Sequence, residues 1–282
     1  MAAVAARDRV GLGWRPELAA GIFANLNRID VLEVQADDYF DAPASQVRAL
    51  RTLARQAPVY LHGIGMGLAS THAVQRKRVE AMARLIDAVQ PCGWSEHLAF
   101  VRAGGMEIGH LAAPPRNSNT LEGLCVNVEL ARRVTGSTPA LENIATLIDP
   151  PGSEMTEPDW IAAATRGADS DLLLDLHNVL TNATNFGGDP YSALARIPLD
   201  RVGVIHISGG RMLPSGRILD DHLHDTPDVV FDMLKWVAAR GQRPLTVVLE
   251  RDGDYPPIGA LVAELDRARL AIAEGRCDRA TL

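Results

Sequence analysis

The stretch LLLDLHNVLTN, residues 172–182, joins an apolar run to a group of polar side chains. Its three opening leucines are typical of a buried strand. Asp175, His177 and Asn178 follow at once, and all three have side chains that can bind a metal ion. Burying such groups is costly unless they have partners. The stretch therefore predicts a strand that ends in a functional site, if other strands of the chain end in the same way.

Seven further apolar runs of strand length occur along the chain, with helix-period segments between them. The predicted strands are Val10–Trp14, Val31–Ala36, Val59–Ile64, Gly93–Phe100, Ala140–Ile144, Leu172–Leu176, Val202–Ile207 and Thr246–Leu249. The predicted helices are Glu17–Asn27, Ser45–Gln56, Val74–Val89, Thr120–Val134, Glu157–Thr165, Tyr191–Arg196, Asp228–Ala239 and Ile258–Ala273.

Eight strands, each followed by a helix, predict a (β/α)8 TIM barrel. The chain has 282 residues, close to the roughly 250 that are typical of this fold. A doubly wound open sheet is the alternative, which the count of eight disfavours. We find no linker, low-complexity tract or strong repeat, so we expect residues 1–282 to form one domain.

Composition narrows the class of protein. The chain is 47% hydrophobic, yet no apolar run approaches the ~20 residues of a membrane span, and the N-terminus lacks the apolar region of a signal peptide. Cys92, Cys125 and Cys277 are scattered and form no CxxC pair, which favours the reducing cytoplasm. The net charge of −7 argues against nucleic acid as a partner. We therefore expect a cytoplasmic protein that binds neither membrane nor nucleic acid.

Polar side chains end most of the predicted strands. In a TIM barrel the carboxyl ends of all strands meet on one face, where the active site lies. A single histidine on an apolar strand is more often a hydrogen-bonded core residue than a ligand. Six consecutive strands that end in this way are hard to explain by chance, whereas His72 and His110 lie outside the pattern. The strand-end residues are Glu33, His62, Glu96, His97, Glu142, Asp175, His177, Asn178, His206, Asp220, Asp221, His222, His224, Glu250 and Asp252.

The charge of this set indicates bound metal. Four of its carboxylates would meet at one mouth, and no lysine or arginine ends predicted strands three to seven to offset them. Divalent cations would offset them, and mixed histidine and carboxylate ligands suit iron, zinc or manganese. Three facial triads, or a two-metal site with bridging carboxylates, would both use these residues. The nine candidate ligands are His62, His97, Glu142, Asp175, Asn178, His206, Asp220, His222 and Glu250.

Eight motifs resemble, in order, those of the DUF692 proteins, the multinuclear non-haem iron-dependent oxidative enzymes (MNIO) related to the methanobactin biosynthesis oxidase. The motifs are LEVQADDYF, YLHGIGMGL, SEHLAF, LENIA, LLLDLHNV, IHIS, ILDDH and VVLERD. The resemblance covers essentially the whole chain and implies a xylose-isomerase-like TIM barrel with two or three irons, mixed Fe(II)/Fe(III). It also implies dioxygen as co-substrate and oxidation of a ribosomally synthesised precursor peptide, often at cysteine. The family's ligands correspond to the same nine residues.

The chain departs from the family pattern at three places. His177 stands where the family usually has asparagine, and strand parity would let it replace Asn178 as a ligand if the strand continued that far. The segment HISGGR replaces the more usual HLAGH, which removes a histidine after strand seven. Glu17 lies where a histidine is common. These departures leave the candidate ligands intact and bear on the substrate and the reaction.

Further residues are assigned roles at the same mouth. Asp252, two residues after Glu250, is expected to handle protons, with a solvated loop carboxylate as the alternative. Arg15 and Arg251 are expected to meet a substrate carboxylate, with surface salt bridges as the alternative. After strand eight the chain has one predicted helix and the tail GRCDRATL. We therefore expect a separate leader-binding protein, or the precursor's own leader, to deliver the peptide.

Two other functions remain compatible with these residues. A zinc- or manganese-dependent hydrolase or sugar isomerase on the same barrel would use metal-activated water or direct metal contacts. A non-catalytic metal-binding scaffold would act through a partner. Metal analysis, followed by oxygen consumption with and without peptide, separates the three.

Overall fold

Eight parallel strands close a barrel, and each strand lies beside the next barrel strand along the chain. The protein is described here from a computed structural model, which covers residues 7–279. Residues 1–6 and 280–282 lie outside the described residues. They include the start of the N-terminal segment that lacks a signal peptide's apolar region and the end of the tail GRCDRATL. The barrel strands are β1 (Arg9–Gly13), β2 (Leu32–Gln35), β3 (Val59–Gly63), β4 (Gly93–His97), β7 (Ala140–Glu142), β8 (Leu172–Asp175), β9 (Val202–Ile207) and β12 (Thr246–Leu249). The predicted TIM barrel is confirmed.

Two antiparallel hairpins extend from the carboxyl end of the barrel. The first consists of β5 (Phe100–Ala103) and β6 (Met106–Ala112), and the second of β10 (Arg211–Met212) and β11 (Ile218–Leu219). The sequence analysis did not predict either hairpin. The strand predicted over Gly93–Phe100 is wrong at its end, because β4 stops at His97 and the separate strand β5 begins at Phe100.

Helices cover the outside of the barrel, and the main hydrophobic core lies between them and the strands. None of the helices among the described residues is both long and apolar enough to span a membrane. The helices are α1 (Ala19–Ala24), α2 (Ala44–Leu53), α3 (Arg76–Val89), α4 (Ser118–Thr135), α5 (Glu157–Gly167), α6 (Leu176–Phe186), α7 (Pro190–Leu194), α8 (Asp228–Arg240) and α9 (Ile258–Arg279). Four of the helices described, α4 to α7, begin at side-chain caps. In α4, for example, Asn117 accepts a hydrogen bond from the backbone N–H of Thr120, and in α5 Thr156 accepts one from that of Asp159.

Side chains inside the barrel form an apolar layer beneath a polar one. The apolar layer is a separate buried cluster of Val31, Tyr60, Ala140, Leu173, Val204 and Val248. Side chains two positions apart in a strand share a face. The residues two positions further on are Glu33, His62, Glu142, Asp175, His206 and Glu250. The apolar layer therefore closes the barrel beneath a ring of ionisable groups.

The predicted strand Leu172–Leu176 is one residue too long, and the helix that follows it, α6, was missed. Strand β8 ends at Asp175, whose carboxylate accepts a hydrogen bond of 2.6 Å from the backbone N–H of Asn178 and so caps α6. His177 therefore lies in the first turn of a helix. The strand-parity argument for His177 is wrong, because the extended backbone it requires has already ended.

Candidate metal centre

The first group of donors lies where β3, β4 and β7 end. The Nε2 atoms of His62 and His97 lie 3.3 Å and 3.2 Å from the same carboxylate oxygen of Glu142. The other ring nitrogens are held from behind. His62 Nδ1 lies 2.8 Å from the hydroxyl of Ser95, and His97 Nδ1 lies 3.2 Å from the backbone carbonyl of Gly63. These contacts fix both rings so that Nε2 of each faces Glu142.

The second group is centred on His206 and is completely buried. Its Nδ1 lies 3.2 Å from Glu142 and 3.1 Å from Glu250, and Asp175 completes the group. On its other side, His206 Nε2 lies 2.9 Å from Glu33. Glu33 is on β2, across the barrel from β9, and was not among the predicted ligands. It orients the ring as a carboxylate behind a ligating histidine does.

The third group lies nearer the mouth and contains His222, Glu250 and Asp252. His222 Nδ1 lies 3.3 Å from both carboxylates, while its Nε2 lies 3.1 Å from Asp220. The backbone of His222 has φ 53°, in the left-handed region that costs a non-glycine residue energy. Arg15 forms an ion pair with the other oxygen of Asp252.

The three groups are joined by shared carboxylates. Glu142 belongs to the first and second groups, and Glu250 belongs to the second and third. Within each group the donor atoms lie within 4.8 Å of one another. Carboxylates that bridge neighbouring ions would fit two or three metal ions into this arrangement.

Buried polar atoms that make no hydrogen bond concentrate in the same place. They include Glu142 Oε2, Asp175 Oδ2, Asn178 Oδ1, His206 Nδ1 and His222 Nε2. Buried polar atoms are almost always satisfied, so unsatisfied ones need a specific explanation. All five can bind a metal ion, and all five belong to residues predicted as ligands. The donor set therefore fits metal.

The pKa values of the histidines in the three groups are raised by the negative charge around them. Burial by itself lowers the pKa of His97, but Glu142, Glu96 and Glu250 outweigh it and raise that pKa to about 9. Burial also lowers the pKa of His206 and of His222. The surrounding carboxylates outweigh this effect and raise both pKa values well above the usual value. Without metal, protons on these histidines balance the carboxylates.

The pKa values of the carboxylates in the three groups shift in two directions. Burial raises the pKa of Glu142 and of Glu250, but the neighbouring histidines outweigh it and bring both below the usual value. Burial and the nearby charge of Asp220 raise the pKa of Asp175 well above its usual value. Among the carboxylates of the three groups, Asp175 is the one whose pKa is raised.

His177 and Asn178 take different places in this arrangement. The side-chain N–H of Asn178 donates to the carbonyl of Asn143 at 3.0 Å, which leaves its Oδ1 without a hydrogen bond at the cavity. His177 is buried, and its Nδ1 lies 2.7 Å from Asp220. His177 thus contacts a predicted ligand rather than one of the three donor groups, and Asn178 has the free ligand atom.

The remaining predicted residues also have partners. Asp252 lies within donor distance of His222 and pairs with Arg15, so it can bind metal as well as exchange protons. Arg251 donates to the carbonyls of Gly253 and Asp254 and so braces its own loop. Neither arginine lines the cavity. Their expected contact with substrate stays a prediction.

A cavity of about 1050 Å³ leads from the donor groups to the surface. Its walls come from the β5–β6 hairpin, the loop 144–151 after β7, and β11 with the segment that follows it. His110, which the sequence pattern had set aside, lies on this wall. The described part of the chain therefore forms a TIM barrel with a candidate multinuclear metal centre at the base of a large cleft.

The family is shown by sequence. The family model for RiPP precursor modification enzyme MbnB/TglH/ChrH matches residues 9–273, and the chain belongs to this family. A UPF0276 protein of Streptomyces avermitilis is 36% identical over 92% of this chain, which spans about half (54%) of that relative. A UPF0276 protein of Caulobacter vibrioides is 32% identical over 95% of this chain and 96% of its own length. The resemblance to the DUF692 proteins is confirmed.

Solved structures confirm the fold class. The 3-keto-D-glucoside 4-epimerase YcjR from E. coli aligns with 94% of this chain and 100% of its own, with a TM-score of 0.59 and 14% identity. A xylose isomerase-like TIM barrel/4-hydroxyphenylpyruvate dioxygenase fusion protein aligns with 98% of this chain and 44% of its own, with a TM-score of 0.64 and 17% identity. At these identities the likeness shows the fold, a xylose-isomerase-like barrel.

Proposed function

We propose that this protein is a multinuclear non-haem iron enzyme that uses dioxygen to oxidise a ribosomally synthesised precursor peptide at cysteine. The observation that carries the proposal is the set of three linked donor groups, in or beside which five buried donor atoms make no hydrogen bond. Family membership supports the peptide substrate. Histidine and carboxylate donors without a thiolate suit iron with positions open for reactants.

Bound iron would supply the redox chemistry, and the chain's own residues would hold and orient it. His62, His97 and Glu142 would bind one ion deep in the cleft. The group around His206 would bind a second, with Glu33 fixing the ring from below. His222 and the carboxylates beside it would bind a third nearer the opening. Asn178 Oδ1, at the cavity wall, is placed to join them.

Protons at the mouth would pass through Asp252. Its carboxylate lies between the imidazole of His222 and the guanidinium of Arg15, which places it beside both the donors and solvent. Asp252 is more exposed than the other carboxylates of the three groups. This position suits transfer of a proton between the substrate and water.

A partner would deliver the peptide. Residues 7–279 comprise the barrel and two hairpins, and no separate peptide-recognition domain lies among them. We therefore propose that a leader-binding protein, or the leader of the precursor, brings the substrate to the cleft. Turnover of a short core peptide by this chain alone, as fast as with leader and partner, would contradict this.

The test is metal analysis followed by oxygen-electrode assays. We expect about two to three irons per chain and oxygen consumption that requires both iron and the precursor peptide. Mass spectrometry should then find the peptide changed in mass at cysteine. Stoichiometric zinc or manganese with no iron-dependent oxygen consumption would instead support a hydrolase or isomerase on the same barrel. Metal binding without turnover of any substrate would support a scaffold.

A further inference from the structure

Several exposed hydrophobic side chains lie on the hairpins and the loop that supply the walls of the cleft, and two of them, Leu147 and Ile148, line the cavity itself. Of the nine large hydrophobic residues that are exposed within residues 7–279, five lie on the hairpins and the loop beside the opening. We call them the apolar rim: Met106, Ile108, Leu147, Ile148 and Met212. The other four are scattered over α1, α4, α6 and α9. Exposed apolar side chains concentrated on the segments that wall one cleft indicate a binding surface.

The cavity wall behind the rim offers no free charge away from the donor groups. Among the described residues, its lining includes no lysine or arginine. Two acidic side chains line it apart from those of the centre, and both are paired. Glu107 accepts a hydrogen bond of 2.6 Å from Arg102, and Asp221 lies 3.9 Å from the guanidinium of Arg211 and 2.9 Å from His224. A charged ligand side chain would lose water here without gaining an opposite charge.

The loop that carries two of the five rim residues is held in shape by hydrogen bonds. Asn182 on α6 accepts from the backbone N–H of Thr146 and donates to the carbonyl of Ile144. The hydroxyl of Thr146 donates to the carbonyl of Ile148 at 2.7 Å. Leu147 and Ile148 are therefore presented on an ordered backbone, 46% and 68% exposed. A preformed apolar surface binds its ligand at a lower entropy cost.

Size indicates the kind of ligand. The volume of about 1050 Å³ lies at the upper end of the ~300–1,000 Å³ found for small-molecule pockets. The cavity is continuous from His62 and Glu142 at its base to Leu147 and Ile148 of the rim. A ligand that fills it reaches from the donor groups to the surface, which suits several residues of an extended chain better than a single sugar.

We propose that the apolar rim binds a peptide segment whose side chains next to the modified residue are apolar and uncharged. This inference rests on the proposed function for the nature of the ligand. It adds the chemistry of the flanking residues and assigns their recognition to the two hairpins and the loop 144–151.

The experiment measures binding without turnover. Fluorescently labelled synthetic decapeptides with a central cysteine, flanked by leucine, glutamate or lysine, are titrated with the full-length metal-loaded protein in the absence of oxygen. We expect the leucine peptide to bind at least about tenfold more tightly than both charged peptides. Ile148→Glu should lower the affinity for the leucine peptide about tenfold. Leu270→Glu, which changes a residue of similar exposure on α9 (60% against 68% for Ile148), should leave the affinity unchanged.

The outcomes separate this inference from the proposed function. Equal affinity for the three peptides, no binding of the leucine peptide up to millimolar concentration, or equal losses in Ile148→Glu and Leu270→Glu would overturn the inference. Preference for leucine with no oxidation of any peptide would support the rim while contradicting the proposed oxidase. Oxidation of a precursor with no preference among the flanking residues would do the reverse. Circular dichroism of both variants checks that each is folded.

Discussion

Asp175 uses its two carboxylate oxygens for different tasks. One accepts the hydrogen bond that starts α6, and the other is buried without a partner beside Glu142, His206 and Glu250. Burial and the nearby charge of Asp220 raise the pKa of this carboxyl well above its usual value. A residue that binds metal and one that only caps a helix would respond differently to loss of the charge.

We predict that Asp175→Asn reverses its effect on stability when metal is added. Asparagine also caps helices, so the chelated variant should be at least as stable as chelated wild type. With iron, wild type should be the more stable, because binding to the native state stabilises it. Thermal unfolding of both proteins, chelated and loaded, measures this. A similar loss of stability with and without metal would mean that Asp175 is structural.

His177 is a positioning residue for Asp220. Its ring packs against the backbone at Gly210, where a Cβ would lie 2.6 Å from His177 Cε1 and 2.4 Å from the carbonyl oxygen of Leu219. The glycine thus leaves room for both the ring and β11. From this place His177 holds Asp220, which in turn contacts His222.

We predict that His177→Asn lowers the affinity for the outermost metal ion about ten- to a hundredfold. Loss of a residue that orients a metal ligand typically has an effect of this size. Asparagine is too short to keep the contact with Asp220. Metal titration followed by absorbance should show one weakened ion and the others unchanged. The matched control is His224→Ala, which removes a histidine that bonds Asp221, outside the predicted ligand set. Equal metal affinity in His177→Asn and wild type would refute the assignment.

At the scale of elements, α5 and α6 are joined beside the cleft by a partly buried acid. Asn182 on α6 donates a hydrogen bond of 2.7 Å to Glu157, the first residue of α5. Burial raises the pKa of Glu157 to about 7, although Asn182 and Arg116 act in the opposite direction. The folded protein therefore binds this proton more tightly than the unfolded chain, in which glutamate has a pKa near 4.3.

We predict that the contribution of Glu157 to the free energy of unfolding falls as pH rises from about 4.5 to 7, and stays low at higher pH. Glu157→Gln should remove the loss and raise stability at pH 8 by up to about 3 kcal/mol, with little effect at pH 4.5. Urea unfolding across this range measures the difference. Glu154→Gln removes an exposed carboxylate of the preceding segment and serves as the control. A gain of equal size at pH 4.5 and pH 8 would argue against ionisation of Glu157.

At the scale of the whole molecule, metal and protons compete for the barrel mouth. A histidine with a raised pKa stabilises the metal-free protein below its unfolded value near 6.5, and that stabilisation is lost as pH rises through about 9 for His97. Metal requires the neutral ring, so each ion must displace protons. Protonation thus stabilises the metal-free form at low pH and opposes metal binding there.

We predict that the rise in melting temperature on adding metal increases from pH 6 to pH 9. Calorimetric titration at pH 7 in buffers of different ionisation enthalpy should also show net release of protons. Each displaced proton lowers metal affinity by about tenfold per pH unit below the pKa of its group. A melting-temperature shift that is independent of pH would indicate that the histidines with raised pKa values do not bind metal.

The sequence by itself determined the barrel and the residues that line its mouth. Alternation of buried and polar residues is local, and residues two apart share a face, so strand ends such as His62, Glu142 and His206 could be assigned without coordinates. Helix α6 was missed because its cap, Asp175, also ends a strand, and the polar residues after it were interpreted as the end of that strand.

Only the tertiary structure decided how these residues are grouped. Glu33 reaches His206 across the barrel, Glu142 and Glu250 are each shared between two groups, and Asp252 joins the third. Such contacts depend on the register and closure of the sheet, which set distances between residues far apart in the chain. The cleft depends on two hairpins whose folding on the mouth is fixed by packing, so its size and its apolar rim could not be derived from local pattern.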